Sequence, residues 1–127
     1  MLKKLTPNLM VKDVNKTIQF YEETLGFAVI VTVPQNGEFN WALVKCGDVD
    51  LMLQKRESLI EEIPALKDKE IGGSLTLYIE ATDIEALFNK VKDKVAVVQD
   101  LHTTFYGKKE FSIEDCNGYV LAFSQRS

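Results

Sequence analysis

Two stretches of the chain have the same layout, and a constant offset of 70 positions (83 minus 13, for instance) aligns them. In residues 39–53 and 105–123, two strands of alternating apolar residues flank a short turn, which predicts a β-hairpin in each. The offset matches residues of like character: Thr6 with Thr76, Asp13 with Asp83, Val14 with Ile84, Cys46 with Cys116 and Leu51 with Leu121. Because the same offset holds across a predicted helix and a predicted hairpin, it indicates an internal duplication.

The first half is predicted to contain a strand, a helix and three further strands. Residues 5–11 are extended, residues 27–33 form the strand after the helix, and residues 38–54 form the hairpin. Asp13 caps the helix by accepting hydrogen bonds from the amides of its first turn. The helix carries an apolar stripe at helical spacing: Val14, Ile18, Tyr21 and Leu25. This stripe is predicted to face a core.

The second half repeats this order after a charged segment. Residues 55–72 are predicted to be a linker or a lid, with at most a short helical turn over 59–66. A strand over 74–80 follows, and Asp83 is expected to cap the second helix as Asp13 caps the first. A strand over 95–101 leads into the closing hairpin. The predicted order is therefore β-α-β-β-β twice.

These elements predict an α+β fold in a single domain, residues 1–127. One module covers residues 1–54, the other covers residues 73–127, and the linker 55–72 joins them. Because one such module leaves part of its small sheet uncovered, we expect the two to combine into a curved mixed sheet with its helices outside. The concave side then forms a cleft, the usual place for a small-molecule ligand.

Composition narrows the classes of partner. The 127 residues are 46% hydrophobic and 27% charged, with a net charge of −4 and lysines scattered among acids. This balance argues against nucleic acid as a partner. No apolar run reaches the roughly 20 residues that cross a bilayer, and the N-terminus lacks the apolar core of a signal peptide, so we expect a cytoplasmic protein without membrane contact. Cys46 and Cys116 are then expected to be free thiols that serve in packing.

Three stretches carry a resemblance to a known family: Thr6 to Val14 running into Phe20-Tyr21 and Leu25-Gly26-Phe27; Gly73 to Asp83 with Leu87; and Glu110-Phe111 with Asp115, Asn117, Gly118 and Tyr119. In this order they resemble the vicinal oxygen chelate superfamily, which includes glyoxalase I, extradiol dioxygenases, fosfomycin resistance enzymes and bleomycin resistance proteins. The Thr-Pro-Asn-Leu opening and the Glu-Phe pair are similar to the bleomycin resistance branch. The resemblance implies the glyoxalase/bleomycin resistance fold and a homodimer in which both copies contribute walls to the cleft.

The resemblance also implies where the family's metal enzymes hold their ion. The corresponding positions in this chain are Thr6, Met52, Thr76 and Ala122. Threonine is a weak ligand, methionine is soft and alanine has no donor, so no metal or other cofactor is expected. If the ligand positions are shifted by two residues, they include Gln54 and its repeat partner Ser124, and this set still contains too few strong donors for a metal ion.

The candidate ligand-binding residues are those expected to line the cleft: Asn8, Met10, Trp41, Met52, Gln54, Thr76, Tyr78, Tyr106 and Glu110. Strand side chains two positions apart share a face, which groups most of them. Glu110 is open to two interpretations. It is either a ligand contact whose pKa is raised by burial, or a structural carboxylate bonded to a lysine or to the linker. His102 is either a general base or a solvent-facing residue at a strand end, and the second is favoured.

The first functional hypothesis is a metal-independent protein that sequesters a small, partly aromatic or cationic molecule, as a bleomycin resistance protein does. Apolar burial would supply most of the affinity. The alternatives are a metal-dependent glyoxalase or dioxygenase type of enzyme, which the poor metal-ligand set opposes, and a non-catalytic assembly subunit with a filled cleft. No catalytic residue is assigned.

Overall fold

The computed structural model describes residues 1–126. Its contacts divide the chain into two compact units, Met1–Ile71 and a second unit that begins at Gly72. The first unit contains, in chain order, β1 (Asn8–Val11), α1 (Val14–Leu25), β2 (Ala28–Val33), β3 (Trp41–Cys46), β4 (Val49–Lys55), α2 (Arg56–Glu62) and a 3-10 turn (Pro64–Leu66).

The second unit repeats the first five elements. It contains β5 (Thr76–Glu80), α3 (Ile84–Val91), β6 (Ala96–Thr103), β7 (Lys108–Glu114) and β8 (Val120–Arg126). Each unit holds one four-stranded mixed sheet, in the order β1-β4-β3-β2 or β5-β8-β7-β6. In both sheets the first strand of the unit runs parallel to the last, and the other neighbours are antiparallel. The predicted α+β class and the β-α-β-β-β order of each module are confirmed.

One face of the first sheet packs against α1, which lies over β3 and β4. The sheet contributes six side chains that are 3% exposed or less: Leu9, Val11, Ala42, Val44, Leu51 and Leu53. All four residues of the predicted helix stripe are buried against them: Val14, Ile18, Tyr21 and Leu25. The Asp13 carboxylate accepts a 3.0 Å hydrogen bond from the Lys16 amide, as predicted for the helix cap.

The second sheet packs one face against α3 in the same way. Ile84 and Val91 of the helix are buried, together with five side chains of the sheet: Leu77, Phe111, Ile113, Leu121 and Phe123. The Phe111 ring stacks on Phe123 at 5.0 Å and meets the edge of Phe88 from α3 at 5.1 Å. The buried face of the second sheet thus includes two phenylalanines, whereas the six corresponding side chains of the first sheet are aliphatic.

The 70-position offset is present in the pairing of the inner strands. Asn8 pairs with Met52 and Met10 with Gln54 in the first sheet, as Tyr78 pairs with Ala122 and Glu80 with Ser124 in the second. The pairing of the outer strand, β2 or β6, does not keep this offset. Leu43 pairs with Val31, but the equivalent Ile113 pairs with Val97 instead of Leu101. The strand after α3 begins at Ala96, two positions earlier than the offset places it.

The segment predicted as a linker contains a helix. Residues Arg56–Glu62 form α2, and the 3-10 turn begins at Pro64, so the predicted short turn over 59–66 was wrong in position and length. The seven residues from Arg56 contain no glycine or proline, whereas Pro64 interrupts the helix. The first strand is also shorter than predicted and begins after Pro7, which has no amide to donate.

Asp83 does not cap α3 with its side chain. Its backbone is left-handed, with φ +52°, and the first amide of α3, on Ile84, instead donates a 2.7 Å hydrogen bond to Gln125.

The turn of the closing hairpin also differs from the simple Asn-Gly turn. The Asp115 amide bonds the Tyr119 carbonyl, and the Asp115 carboxylate accepts from the Asn117 and Tyr119 amides. The turn is therefore organised by an aspartate side chain.

Among residues 1–126 no helix is long and apolar enough to cross a membrane. The longest, α1, has 12 residues, against the roughly 20 that a bilayer requires.

Candidate functional site

We call the side of each sheet that is turned away from α1 or α3 its far face. In the first unit, strand pairing places five predicted ligand-binding residues there. Asn8 lies beside Met52, Met10 lies beside Gln54, and Gln54 lies beside Trp41. Because paired residues point to the same side of a sheet, these five side chains form one continuous surface.

Gln54 is the centre of a hydrogen-bond network on this face. Its side-chain oxygen accepts a 2.9 Å bond from the Asn8 amide, and its nitrogen donates to Ser58 Oγ at 3.0 Å and to Glu62 Oε2 at 3.2 Å. Gln54 is only 4% exposed. Ser58 and Glu62 belong to α2, so this helix closes over the end of the strand. Both ends of the Gln54 amide are occupied, which gives it a structural role.

Met10 is covered by the same segment of chain. It is 6% exposed, and its sulfur lies 3.2 Å from the Arg56 guanidinium. Arg56 also donates to the carbonyls of Lys67 and Lys69, each at 2.7 Å. The Arg56 side chain thereby holds in place the segment that follows α2. Sequence reasoning missed Arg56, Ser58 and Glu62; the four-residue spacing from Gln54 to Ser58 to Glu62 is the signal that points to them.

Trp41 and Met52 are half-buried and Asn8 is exposed. Trp41 lies between Val33 of β2 and Gln54 of β4. Met10 and Gln54 are thus closed off on the far face of the first unit, while a part of the surface beside them remains accessible.

In the second unit, two tyrosines converge on one carboxylate. The hydroxyls of Tyr78 and Tyr106 both donate to Glu110 Oε2, at 2.7 Å and 3.0 Å. We call Tyr78, Glu110 and Tyr106 the tyrosine–glutamate cluster. All three were predicted as ligand-binding residues, and the structure brings them together.

Small side chains on β8 allow this convergence. Tyr78 pairs with Ala122 and Glu110 pairs with Ser124, so β8 separates the tyrosine strand from the glutamate strand. The side chains of Tyr78 and Glu110 therefore reach each other above Ala122 and Ser124, which are too short to obstruct them. Thr76, the remaining predicted residue, is exposed at the start of β5 on the same face.

Hydrogen bonding determines the electrostatics of the cluster. The bond from Tyr78 is the main cause of a lowered pKa at Glu110; burial opposes it, and Tyr106 adds to it. The bond to Glu110 raises the pKa of Tyr106 above its ordinary value of 10.0. Of the two interpretations of Glu110, the one in which burial raises its pKa does not hold, because the net direction is downward. Tyrosine hydroxyls stabilise the charged carboxylate more than partial burial destabilises it.

Lys108 completes the surroundings of the cluster. Its ammonium lies 5.6 Å from the centre of the Tyr78 ring and 3.5 Å from the Tyr78 hydroxyl. This is a cation–π geometry. Lys108 was not predicted, although its position two residues before Glu110 places it on the same face of β7.

The residues at the family's metal positions do not fit a metal ion. Thr6 precedes β1, Thr76 is exposed at the start of β5, and Ala122, on the far face of the second sheet, has no donor atom. Among the described residues no three His, Cys, Asp or Glu side chains are grouped so as to hold a metal. The donor set is unsuited to a hard or borderline cation, and we derive no chemistry from one.

His102 lies within β6 and is half-buried. Its Nδ1 is 2.7 Å from the Asp100 carbonyl, and it pairs with Glu110 across the strands. The expectation of a solvent-facing strand-end histidine was therefore only partly right. Neither cysteine forms a disulfide; Cys46 is half-buried and Cys116 is exposed.

A comparison with protein families gives one match, to the glyoxalase/bleomycin resistance protein/dioxygenase superfamily, over residues 5–123. The chain belongs to this superfamily. The match spans both units, in agreement with the repeated strand order. A comparison with curated proteins gives no significant match.

Solved structures of the superfamily's fold cover almost the whole chain. A protein of unknown function from Agrobacterium tumefaciens C58 has a TM-score of 0.82 and 22% identity, covering 100% of this chain and 96% of its own. TnmS3, an antibiotic-binding protein from Streptomyces sp. CB03234, has a TM-score of 0.74 and 25% identity, and the match covers 99% of this chain and 98% of TnmS3. The virulence protein STM3117 from Salmonella typhimurium has a TM-score of 0.74 and 25% identity, and the match covers 100% of this chain and 99% of STM3117.

Proposed function

We propose that this superfamily member binds and sequesters a small, partly aromatic or cationic molecule without a metal ion. The observation that carries the proposal is the tyrosine–glutamate cluster. Tyr78 and Tyr106 are 55% and 54% exposed, and they flank an ionised carboxylate on the far face of the second sheet. Exposed rings beside a fixed polar group are the components from which small-molecule sites are built.

Two further points support binding over metal-dependent catalysis. Thr6, Met52, Thr76 and Ala122 form a poor donor set for the ions that polarise substrate oxygens. TnmS3, which is similar over nearly its whole length, is an antibiotic-binding protein. We therefore propose an antibiotic-like ligand, contacted by the accessible far-face residues of the second unit: Thr76, Tyr78, Tyr106 and Glu110.

We also propose that the protein is a homodimer. The support is the superfamily membership, together with exposed apolar side chains on β2: Ile30, Val31 and Val33. Light scattering coupled to size-exclusion chromatography measures this directly. A monomer across the micromolar range contradicts the dimer without affecting the binding proposal.

Thermal shift with a panel of planar antibiotics, bleomycin included, tests the function. A ligand that binds the folded state raises Tm, and at about 100 times its Kd it adds about 2.7 kcal/mol. We expect at least one compound to raise Tm equally before and after treatment with EDTA. Tyr106→Ala should reduce the shift. A panel with no active compound contradicts the binding function, and a shift that EDTA abolishes contradicts its metal independence.

A further inference from the structure

We propose that the tyrosine–glutamate cluster is a subsite for a positive charge, so that the ligand carries an amine, guanidinium or quaternary ammonium group beside an aromatic body. This inference rests on the proposed function and specifies the chemistry of the same face. It assigns the charge to Glu110 and the adjoining aromatic surface to Tyr78 and Tyr106.

The bonding of Glu110 is the first argument. Both tyrosine hydroxyls donate to the same oxygen, Oε2, at 2.7 Å and 3.0 Å, so the carboxylate is fixed in place as an anion. The ion pairs among the described residues are Lys4–Asp50, Lys45–Asp50, Lys55–Glu38 and Lys109–Glu85, and none of them includes Glu110. The cluster therefore presents a negative charge that has hydrogen-bond donors but no cation paired with it.

Lys108 is the second argument, because it shows that the face of Tyr78 accepts a cation. Its ammonium lies 5.6 Å from the ring centre, within the range of a cation–π contact, and forms no ion pair with Glu110. Lysine is a flexible side chain that leaves such a position at small cost. A ligand ammonium can occupy this position, gain the ring contact and also approach the carboxylate.

The floor of the site is the third argument. Ala122 and Ser112 are paired side by side, and Ser124 follows on the same face of β8. These short side chains let Tyr78 and Glu110 meet above the sheet, and they are themselves covered: Ser112 is 7% and Ser124 is 1% exposed. The aromatic body of the ligand is therefore placed against the exposed rings of Tyr78 and Tyr106, next to the carboxylate.

A matched pair of probes tests the charge preference on the wild-type protein. Tryptamine and tryptophol share an indole ring and differ in an ammonium against a hydroxyl. We expect calorimetry or protein-detected NMR to show tryptamine binding about tenfold more tightly, the combined effect of one exposed cation–π contact and one exposed ion pair. Equal affinities, or no binding of tryptamine at millimolar concentration, overturn the subsite.

Glu110→Gln should reduce the preference to about threefold by weakening tryptamine, because the contact with the Tyr78 ring remains. Glu114→Gln removes the same charge from the end of the same strand and should keep the full preference. Lys108→Met should tighten tryptamine about threefold because the competing ammonium is gone. Lys109→Met, which alters the lysine that contacts Glu85, is its matched control. A preference that is undiminished in Glu110→Gln overturns the assignment.

The failures of the two proposals are distinguishable. If panel compounds raise Tm but tryptamine shows no advantage over tryptophol, the binding function stands and the charged subsite is wrong. If no panel compound and neither indole binds, both are wrong. The wild-type comparison needs no variant, so the test does not depend on how Glu110→Gln folds.

Discussion

The far faces of the two sheets have the same strand pattern but different exposure. In the first unit, Met10 and Gln54 are buried, and Gln54 bonds to Ser58 and Glu62 of α2. In the second, the equivalent of Met10 is the exposed Glu80, and no helix among residues 72–126 corresponds to α2. The same strand topology therefore gives two faces on which matched positions differ in exposure. The side chains at matched positions, together with the cover that α2 provides in the first unit, decide which parts of each face are accessible.

The difference is chemical as well as steric. Gln54 has both donor and acceptor groups, so it can bond simultaneously to Asn8 on β1 and to α2. Its counterpart Ser124 has one short hydroxyl and leaves space above β8. Tyr78 fills part of that space from the position equivalent to Asn8 and reaches Glu110. Gln54 and Ser124 are both buried, at 4% and 1% exposure, so the two faces differ in which groups cover the last strand.

The largest expected effect separates Gln54 from Ser124. Gln54→Ala removes three side-chain hydrogen bonds and leaves a void beneath α2, so we expect unfolding free energy to fall by about 2–3 kcal/mol. Ser124→Ala removes a single buried hydroxyl whose oxygen has no hydrogen-bond partner among residues 1–126, and it should cost less than about 0.5 kcal/mol. Urea unfolding measures both. Similar costs at the two positions would mean that the faces are energetically equivalent.

Arg56 tests how firmly the cover of the first face is held. Arg56→Ala removes two hydrogen bonds from a charged donor to the carbonyls of Lys67 and Lys69, and we expect a loss of about 1–2 kcal/mol. Amide hydrogen exchange should accelerate in residues 64–70 and remain unchanged in β7 and β8. Arg56→Lys should not restore protection, because an ammonium cannot reproduce the two-pronged donor geometry. Uniform acceleration in both units would contradict a local role.

The pKa of Tyr106 tests the cluster on the second face. Since the bond to Glu110 is the main cause of its raised pKa, Glu110→Gln should move that pKa back toward 10.0. Ultraviolet absorbance during an alkaline titration follows the phenolate, and Tyr106→Phe identifies its contribution. Asp50→Asn, which removes a carboxylate from the first unit, should leave this transition in place. An unchanged titration in Glu110→Gln would mean that the hydrogen bond is absent in solution.

The smallest expected effect is the pH and salt dependence of two carboxylates. The pKa of Glu110 is below its ordinary 4.5, chiefly because of Tyr78, with His102 and Tyr106 also contributing. Its stabilisation is therefore present above about pH 4.5 and is lost as the pH falls through the lowered pKa of the folded state. The pKa of Asp50 is lowered by Lys4 and Lys45.

Salt distinguishes the two cases. Added NaCl should reduce the Tm difference between wild type and Asp50→Asn, because the partners of the Asp50 carboxylate are charged. The difference between wild type and Glu110→Gln should persist at neutral pH, since its main partners are neutral hydroxyls. Equal salt sensitivity would indicate that Glu110 is paired with a cation, His102 being the cross-strand candidate.

Several local features were predictable because they depend on periodicity. The α1 stripe of Val14, Ile18, Tyr21 and Leu25 is buried as its spacing indicated, and the inner strands keep the 70-position offset. The segment 56–62 was not predicted as a helix, since it buries only Leu59 and lacks an apolar stripe. The predicted cap at Asp83 is absent because its backbone is left-handed instead of extended, and a distant side chain, Gln125, accepts from the first amide of α3. Whether the two halves arose by duplication stays an interpretation.

The sequence by itself determined the superfamily, the order of strands and helices, and the identity of the residues on each far face, because side-chain alternation is a local property of a strand. Only the tertiary structure decided which of these residues bond to one another. Tyr78 is distant from Glu110 in sequence, and β8 separates their two strands, whereas Tyr106 is close to Glu110 in the chain. The approach of Tyr78 to Glu110 depends on the small side chains between them, and the lowered pKa of Glu110 depends mainly on that bond, so neither follows from any one segment of the chain.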